Sequence, residues 1–501
     1  MTLQEGLLEK YYPVCLSLAG RDKWKILLDC SGNSSAEDLP RIIARKTEKL
    51  DLPPYLSDLA SLEYTYREAL ESEVDIPDKV DQIIINPSLH LMDLQWRNLV
   101  PLLFAKSGDN PPLPEKCGQY IIIWKDPDDQ RVRVRECLPE ELLALKMLVE
   151  DIDRKEAAAM GDLPVGRLDS AFDRAIASGI ILSPSSRIRR DETMFPIPED
   201  TKDQFLSAKV FTLQWHLTQA CDLHCKHCYD RSRRSPLTLD QGLDILDQMR
   251  DFIRDRHVRG QISFTGGNPL LYPHFLELYQ GAAERGFNIA VLGNPTTAEM
   301  LEEINGIRRP LFFQVSLEGL QEHNDSIRGE GHFDRIVDFL GLLREKDISS
   351  IVMLTLTRAN IDQVIPLCEF LKNKVDKFTF NRLSLVGEGA NLQLPSPERF
   401  QGFLKEYLEA AADNPVMGLK DNLLNIARRE QGKSLFGGCA GYGCGAAFNF
   451  LCALPDGEVH ACRKFPSPVG NIYQQSLTEI YDSDESARYR SGSKACKDCR
   501  I

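Results

Sequence analysis

The stretch VFTLQWHLTQACDLHCKHCY (residues 210–229) predicts a short buried strand followed at once by a loop with three cysteines, Cys221, Cys225 and Cys228. Three thiolates so close together can bind one face of an iron–sulfur cubane, and an ordinary [4Fe–4S] cluster takes four cysteines. Because no fourth cysteine lies nearby in the sequence, the loop predicts a cluster with one iron open to another ligand. A zinc site completed by one of the two histidines in the loop is the alternative, together with accidental spacing.

Downstream of this loop the sequence alternates between short apolar runs and amphipathic stretches. The predicted strands cover residues 210–217, 261–265, 288–292, 311–317, 350–357 and 377–385, and the predicted helices cover 237–256, 274–286, 333–346 and 361–373. Such a series implies an α/β fold with a parallel sheet and right-handed crossovers, either a barrel or an open doubly wound sheet. The unusual residues follow the strand ends, where barrel sites are built, and this favours a barrel.

The same patterns divide the chain into five segments. The stretch 183–204 is polar and carries three prolines, which favours a linker there. The expected segments are a mostly helical N-terminal domain (1–185), a linker (186–208), the barrel (209–395), a helical bridge (396–435) and a glycine- and cysteine-rich C-terminal extension (436–501).

The segment CDLHCKHCY (221–229) resembles the signature of the radical S-adenosylmethionine (SAM) family. The resemblance implies a partial (β/α)6 barrel whose three cysteines hold a [4Fe–4S] cluster, with the fourth iron chelated by the amino and carboxylate groups of SAM. It further implies reductive cleavage of SAM to a 5′-deoxyadenosyl radical, which abstracts a hydrogen atom. An external one-electron reductant, of flavodoxin or ferredoxin type, is implied as a partner.

Two later strand ends are similar to further motifs of this family. In QISFTGGNP (261–269), Gly266 and Gly267 match a glycine-glycine-glutamate motif that holds the SAM amino group, and Asn268 replaces the glutamate. A carboxamide oxygen still accepts a hydrogen bond from an ammonium group, so Asn268 is expected to contact SAM.

The second similar stretch is VSLEGLQEHNDSIRG (315–329), with Glu318 where the family usually has aspartate. The resemblance implies that Ser316 and Glu318 face the SAM ribose and that Arg328 faces the SAM carboxylate. It also places the backbone of His227 near the adenine. A strand end with "GG" or "SLEG" is common on its own, so the order and spacing of the motifs support the resemblance.

The C-terminal segment LPDGEVHACRKFPSPVGNIYQQSLTEIY (454–481) resembles the SPASM-type extension of radical SAM enzymes, which binds one or two auxiliary [4Fe–4S] clusters. A full pattern continues with further cysteines, so we expect one auxiliary cluster here or a truncated chain. Cys452 is expected to be a buried thiol within a strand instead of a ligand. The expected ligands are Cys439, Cys444, Cys462, Cys496 and Cys499.

The N-terminal region, over roughly residues 45–180, resembles a small family of domains found in proteins assigned to DNA binding and in partner subunits of methanobactin-type oxazolone biosynthesis. Its segment YIIIWKDPDDQRVRVREC (120–137) predicts a hairpin within a winged-helix-like end. No dense basic recognition helix accompanies the hairpin. A hairpin edge can take up an extended peptide as an added strand, so we expect a substrate-recognition domain, with a scaffold or dimerisation domain as the alternative.

The composition is that of an ordinary globular protein with a formal net charge of −14. This charge argues against nucleic acid or an anionic membrane as the main partner, and neither a signal pattern nor a long apolar run is present, so a cytoplasmic protein is expected. Five isolated cysteines are expected to be small buried residues, namely Cys15, Cys30, Cys117, Cys137 and Cys368.

Taken whole, the chain resembles radical SAM/SPASM maturases of ribosomally made peptides, of the selenobiotic or thio(seleno)oxazole type, which implies a precursor peptide as substrate. No catalytic base can be assigned, and Glu388, after the sixth strand, is a candidate by position alone. Two alternatives stay open. One is a radical SAM enzyme that acts on a small molecule or a protein side chain, and the other is a non-catalytic iron–sulfur sensor or DNA-binding regulator.

Overall fold

The computed structural model describes residues 9–31, 35–106, 108–152, 156–157, 160, 165–191, 193, 205–434 and 443–492. The chain divides into two compact units, Met1–Ser185 and Ser186–Ile501. The first unit has two hydrophobic cores and the second has one. Within the described residues, no helix combines the length and the apolar character that a membrane span requires.

The first unit is mainly helical. Its helices are α1 (Pro13–Ala19), α2 (Arg21–Ser31), α3 (Leu39–Lys46), α4 (Leu56–Glu71), α5 (Leu99–Leu103), α6 (Pro139–Glu150) and α7 (Val165–Ala177). The central helix α4 holds the start of α1, because the buried carboxylate of Glu63 accepts the backbone N–H groups of Val14 (2.6 Å) and Cys15 (2.9 Å). These are two of the N–H groups that a helix start leaves without an intrahelical partner.

Two small sheets complete the first unit. Strands β1 (Ile84–Ile85) and β5 (Ile181–Leu182) pair with each other, and β2 (His90–Leu94), β3 (Gln119–Lys125) and β4 (Val132–Glu136) form an antiparallel sheet in the order β2-β3-β4. The predicted hairpin is β3–β4 and is confirmed. Strand β2 was not predicted, because its pairing partner β3 is distant in sequence.

Three of the five isolated cysteines, Cys15, Cys137 and Cys368, are buried as expected. The expectation was wrong for Cys30 and Cys117, which are exposed. Cys30 lies on the outer side of the amphipathic helix α2, whose buried residues are Trp24, Leu27 and Ser31. Apolar character alone therefore did not determine the burial of an isolated cysteine.

The second unit is built on six parallel strands, and all six predicted strands are confirmed. They are β6 (Val210–Thr218), β7 (Arg259–Gly266), β8 (Asn288–Leu292), β9 (Phe312–Ser316), β10 (Ser350–Leu356) and β11 (Lys377–Arg382). They lie side by side in chain order, so the strand order never reverses. A doubly wound sheet reverses at a switch point, and the fold is therefore a partial barrel.

Helices connect these strands. They are α8 (Leu239–Arg256), α9 (Phe275–Glu284), α10 (Ala298–Ile307), α11 (Gln321–Arg328), α12 (His332–Glu345) and α13 (Val364–Leu371), followed by α14 (Pro397–Asp413) and α15 (Leu424–Glu430). Neither α10 nor α11 was predicted. The long helix α8 begins with a capping box, in which Thr238 Oγ1 accepts from Gln241 N (3.2 Å) and Gln241 Oε1 accepts from Thr238 N (3.0 Å).

The two faces of the barrel sheet differ in chemistry. On β6, Phe211, Leu213, Trp215 and Leu217 belong to the core of the unit, and the corresponding alternate residues of the other strands do the same. Successive side chains of a strand point to opposite faces, so the remaining positions face inward. Beyond the first residue of each strand, the inward positions include Thr212, Gln214, His216, Gln261, Ser263, Thr265, Ala290, Leu292, Gln314, Ser316, Ile351, Met353, Thr355, Thr379 and Asn381.

The C-terminal extension continues the barrel sheet. Its strand β12 (Phe450–Ala453) pairs parallel with β6, and β13 (Glu458–His460) and β14 (Pro468–Asn471) extend the sheet to nine strands. Helices α16 (Leu477–Asp482) and α17 (Asp484–Arg490) follow. Ile188 and Ala208, at the two ends of the predicted linker, belong to the core of this unit, where Ala208 N donates to Ile188 O (2.8 Å).

Candidate active site

The cysteine loop follows the carboxyl end of β6 and is held mainly by backbone groups. Lys226 N donates to Ile327 O (3.1 Å), and Glu388 N donates to Cys228 O (2.9 Å). Gly387 takes φ = +58°, and a Cβ at this position would lie 2.6 Å from Tyr229 O. The turn after β11 therefore packs directly on the backbone of the third cysteine, which requires a glycine there. The side chain of Glu388 itself is exposed.

The cysteine side chains are accessible, because Cys221 is exposed and Cys225 and Cys228 are half-buried. Two polar side chains point N–H groups at the sulfurs. Asn294 Nδ2 lies 3.7 Å from Cys221 Sγ, and Arg328 Nη1 lies 3.5 Å from Cys225 Sγ. Donors directed at cysteine sulfur suit thiolates that ligate iron, so these residues fit the cluster that the sequence implies.

The zinc alternative finds no support in this geometry. Among the described residues, no three side chains of His, Cys, Asp or Glu converge as ligands of a single metal ion. The histidines of the loop have other contacts, since His224 Nδ1 lies 2.9 Å from Arg231 Nη1 and His227 Nε2 lies 3.3 Å from Arg328 Nη2. A cubane differs from zinc in that each thiolate binds a separate iron, so its cysteine ligands stand apart.

Glu318 and Arg328 form a buried ion pair behind Cys225. Arg328 donates to Glu318 Oε1 through Nε (2.9 Å) and Nη2 (2.6 Å), and Thr355 N donates to Glu318 Oε2 (2.8 Å). Burial raises the pKa of Glu318, but the charge of Arg328 and these hydrogen bonds outweigh it, so the pKa lies below its usual value. Glu318 is therefore an anion that holds Arg328 in place.

This ion pair engages two residues, Glu318 and Arg328, that were expected to contact SAM. The carboxylate of Glu318 binds Arg328 and the backbone of β10 instead of standing free towards a ribose. The Arg328 guanidinium still lies at the cysteine loop, beside Cys225 Sγ and His227. Burial lowers the pKa of His227, so this imidazole is neutral. Ser316 lies at the end of β9 on the inner face, next to Met353 of β10.

The two glycines at the end of β7 allow its backbone to lie close to the backbone at the end of β6. Gly267 N donates to Thr218 O (2.9 Å), and a Cβ on Gly267 would lie 2.2 Å from Ala220 O. Gly266 has φ = +135°, and its Cβ would lie 2.4 Å from Thr218 O. Any larger residue at either position would push β7 away from the chain that leads into the cysteine loop.

Two functional candidates escaped the sequence analysis. Asp222, within the cysteine loop, accepts hydrogen bonds on Oδ1 from Asn268 Nδ2 (3.1 Å) and Asn294 Nδ2 (2.5 Å). Asn268 and Asn294 are both buried, whereas Asp222 is exposed. A usable signal was present, since Asn294 follows the end of β8 as Asn268 follows β7, and strand ends of a parallel barrel meet at one face.

The extension contacts the cysteine loop through a buried ion pair. Asp230 accepts from Arg463, whose guanidinium also lies 5.4 Å from the ring centroid of Tyr229. Burial raises the pKa of Asp230, but hydrogen bonds from Ser232 and the charge of Arg463 outweigh this effect. The pKa of Asp230 is therefore lowered to about 2. Arg463 directly follows Cys462, and Asp230 follows the cysteine loop. This ion pair therefore links the two segments that are predicted to bind clusters.

The predicted auxiliary ligands are placed only in part. Cys444 is exposed and Cys462 is half-buried, with Cys462 N donating to Ser467 Oγ (3.1 Å). Cys452 is fully buried in β12, as expected, and donates to Gln214 Oε1 (3.2 Å). The other predicted ligands, Cys439, Cys496 and Cys499, lie outside the described residues.

Two protein families match the chain. Residues 215–371 match the Radical SAM superfamily, and residues 444–500 match the SPASM family, described as an iron-sulfur cluster-binding domain. The first match contains Cys221, Cys225 and Cys228, and the second contains Cys444 and Cys462.

Several characterised proteins are similar over part of the chain. The AdoMet-dependent heme synthase of Methanosarcina barkeri (strain Fusaro / DSM 804) is 24% identical over 304 residues, which cover 55% of this chain and 83% of that protein. The mycofactocin maturase MftC of Mycolicibacterium smegmatis (strain ATCC 700084 / mc(2)155) is 29% identical, over 50% of this chain and 63% of that protein. The subtilosin biosynthesis protein AlbA of Bacillus subtilis (strain 168) is 26% identical, over 54% and 59% respectively.

One solved structure extends the similarity to most of the fold. Streptococcus suis SuiB, bound to its precursor peptide SuiA, superposes with a TM-score of 0.50 at 17% identity, over 76% of this chain and 90% of that chain. At this identity the likeness concerns the fold alone, and it agrees with the partial barrel and the extended sheet described above.

Proposed function

We propose that this chain, a radical SAM enzyme with a SPASM domain, modifies a ribosomally synthesised precursor peptide. Cys221, Cys225 and Cys228 would hold a [4Fe–4S] cluster to which SAM binds, and this group would supply 5′-deoxyadenosyl radical chemistry. The SPASM cysteines would hold an auxiliary cluster. The observation that carries the proposal is the accessible three-cysteine loop at the carboxyl end of six parallel strands. A reactive group at this loop lies at the end of the barrel where active sites are built, next to the inner face of the sheet.

The residues around the loop have separate tasks. Arg328, held by Glu318, places a cation beside Cys225, and Asn294 directs an N–H group at Cys221. The glycines Gly266 and Gly267 bring the end of β7 close enough to brace the loop. These contacts orient the thiolates and fix the charge around them before substrate enters.

The inner face favours a substrate with many hydrogen-bonding groups. Its amide and hydroxyl side chains include Gln214, Gln261, Gln314, Thr355 and Asn381, all half-buried. Burial lowers the pKa of His216, also on this face, to about 3, so its imidazole is neutral. Peptide backbone offers a matching series of N–H and C=O groups.

Several relatives support a peptide substrate. MftC is a mycofactocin maturase, AlbA takes part in biosynthesis of the bacteriocin subtilosin, and SkfB of Bacillus subtilis is a sporulation killing factor maturation protein. The resemblance of the chain as a whole supports the narrower proposal of a selenobiotic or thio(seleno)oxazole-type maturase. We also propose a cytoplasmic location, as expected from the sequence, and, on the resemblance to the radical SAM family, an external one-electron reductant and SAM contacts of His227, Ser316 and Arg328.

The first unit is proposed to bind the leader part of the precursor. In the sheet β2-β3-β4, the outer edge of β4 has no strand partner within the described residues. Such an edge offers unpaired N–H and C=O groups to an extended peptide. Peptide binding should slow hydrogen exchange in Val132–Glu136 of the full chain, and a precursor without its leader should not. Exchange in β4 that is unchanged by the complete precursor would contradict this role.

A small-molecule substrate is the second candidate, because the heme synthase and the Fe-coproporphyrin III synthase of Methanosarcina barkeri match over 83% and 82% of their lengths. The test is to incubate reduced, cluster-loaded protein with SAM and either a precursor peptide encoded nearby or iron-coproporphyrin III. Mass spectrometry then follows each substrate together with 5′-deoxyadenosine. We expect a mass change in the peptide alone. Conversion of the porphyrin with an untouched peptide would overturn the peptide proposal.

A further inference from the structure

We propose that Asp222 supplies the carboxylate that binds the α-ammonium group of SAM in this protein. The inference rests on the proposed function, because it assumes that SAM binds at the cysteine loop. From sequence alone this contact was expected of Asn268. The hydrogen bonds around the loop assign Asn268 a different task and leave a carboxylate oxygen of Asp222 available.

The amide of Asn268 is already engaged at both ends. Its Oδ1 accepts from Leu270 N (3.3 Å), and its Nδ2 donates to Asp222 Oδ1 (3.1 Å). Its backbone N–H also donates, to Ala220 O (2.8 Å). The side chain is only 4% exposed, so packing fixes the amide with its donor end towards Asp222. Asn268 is therefore a positioning residue for that carboxylate.

A second buried amide acts on the same oxygen. Asn294, 8% exposed, places Nδ2 2.5 Å from Asp222 Oδ1 and 3.7 Å from Cys221 Sγ. The Nδ2 atom of Asn294 thus contacts both the carboxylate of Asp222 and the sulfur of Cys221. Both amides bind Oδ1, and within the part of the chain described here Oδ2 of Asp222 has no hydrogen-bond partner from another side chain or from the backbone.

The charge at this point suits a cationic ligand. Asp222 is next to Cys221 in the chain, so a carboxylate and a ligating thiolate lie side by side at the surface of the loop. The α-ammonium group of SAM carries one positive charge and three N–H donors, as a lysine ammonium does. A carboxylate adds the attraction between opposite charges to the hydrogen bond, which a neutral carboxamide does not, so a carboxylate binds this ammonium better than a carboxamide.

The test compares SAM binding by three variants that have been loaded with clusters and reduced. The variants are Asp222→Asn, Asp222→Asn combined with Asn268→Asp, and Asp251→Asn as a matched control at an exposed position of α8. Titration with SAM is followed by the change in the electron paramagnetic resonance spectrum of the reduced cluster, with iron measured on every sample. 5′-Methylthioadenosine, which has no ammonium group, is the comparison ligand.

We expect Asp222→Asn to keep its iron and to bind SAM at least about tenfold more weakly, as loss of a charged hydrogen bond predicts. Its affinity for methylthioadenosine should be unchanged, and the double variant, with the carboxylate moved to the buried position 268, should bind SAM as weakly as Asp222→Asn. Recovered SAM affinity in the double variant would place the ammonium contact at residue 268 and would overturn the inference. Unaltered SAM affinity, equal loss for both ligands, or loss of iron in Asp222→Asn would overturn the inference. A parent protein that binds no SAM would instead refute the proposed function itself.

Discussion

Arg328 donates two hydrogen bonds to a single oxygen of Glu318, at 2.9 and 2.6 Å, and its third nitrogen lies 3.5 Å from Cys225 Sγ. The negative charge of Glu318 therefore partly offsets the positive charge of Arg328 beside Cys225 Sγ. Glu318 sits where the related motif usually has aspartate, and its longer side chain also reaches the backbone N–H of Thr355.

Replacing Glu318 with Gln should raise the reduction potential of the cluster at the loop. The variant leaves the charge of Arg328 uncompensated beside Cys225, and cluster potentials rise with positive charge and with hydrogen bonds to sulfur. A redox titration monitored by electron paramagnetic resonance measures the shift, with Glu322→Gln, at an exposed position of α11, as control. An unchanged or lower potential would show that the ion pair does not act on the cluster.

Replacing Cys225 with Ala should abolish formation of 5′-deoxyadenosine by reduced, cluster-loaded protein. The reason is that the loop has no other cysteine to replace the lost ligand. Cys30→Ala, at an exposed and isolated cysteine of α2, should retain full formation. Chromatography of the SAM products decides between the two, and 5′-deoxyadenosine above background in the Cys225 variant would refute the assignment of the loop.

The chain should hold two [4Fe–4S] clusters, and therefore about eight irons by this ligand count. Cys221, Cys225 and Cys228 are committed to the first cluster. Six cysteines remain after the barrel, and two closed auxiliary clusters would need about eight thiolates. Iron analysis with Mössbauer spectroscopy should find about half the iron in the variant with all three loop cysteines changed to Ala. About twelve irons in the parent, or none in that variant, would refute this count.

His216 should make the second unit less stable as the pH falls below 6.5. Burial lowers the pKa of this imidazole to about 3, with the charge of Arg463 acting in the same direction and that of Asp230 against it. The unfolded chain takes up a proton near pH 6.5 and the folded chain does not, so folding weakens by about 1.4 kcal/mol per pH unit below that point. His216→Gln should reduce the fall in melting temperature between pH 7 and pH 5. An equal fall in His216→Gln and in the exposed control His274→Gln would contradict the prediction.

Glu63 should stabilise the first unit by capping α1. Glu63→Ala leaves two buried or half-buried N–H groups without an acceptor, at about 1–3 kcal/mol each. Burial raises the pKa of Glu63, so the folded state binds its proton more tightly than the unfolded state. The contribution of Glu63 to the stability of the folded first unit is therefore greatest at low pH, and it declines as the pH rises through the raised pKa. Hydrogen exchange of Pro13–Ala19 against pH should show this decline in the parent and none in Glu63→Gln. Equal protection of α1 in the parent and in Glu63→Ala would contradict it.

The barrel could be predicted from the sequence because each strand is recognisable from its own residues. Strands such as β8 are short apolar runs between polar turns, and their order along the chain is also their order in the sheet. The cysteine loop could be predicted for the same reason, since Cys221, Cys225 and Cys228 lie close together in one short segment.

The missed features depend on contacts between distant segments. Asp222, Asn268 and Asn294 come from three successive strand ends, and their shared hydrogen bonds exist only after the barrel forms. Likewise, nothing within Phe450–Ala453 indicates that this strand pairs with β6. Exposure of Cys117 depends on its surroundings in the fold, not on its own apolar character.

The parallel pairing of β12 with β6 has a consequence for synthesis of the chain on the ribosome. Cys452 and Gln214, which meet across this pair, are 238 residues apart. At typical elongation rates of about 5–20 residues per second, the first barrel strand waits roughly 10–50 s for its outer neighbour. During that time its edge is an open template for strands of other nascent chains. Folding of the barrel is thus tied to arrival of the cluster-binding extension, and chains released before residue 450 should be prone to aggregation and degradation.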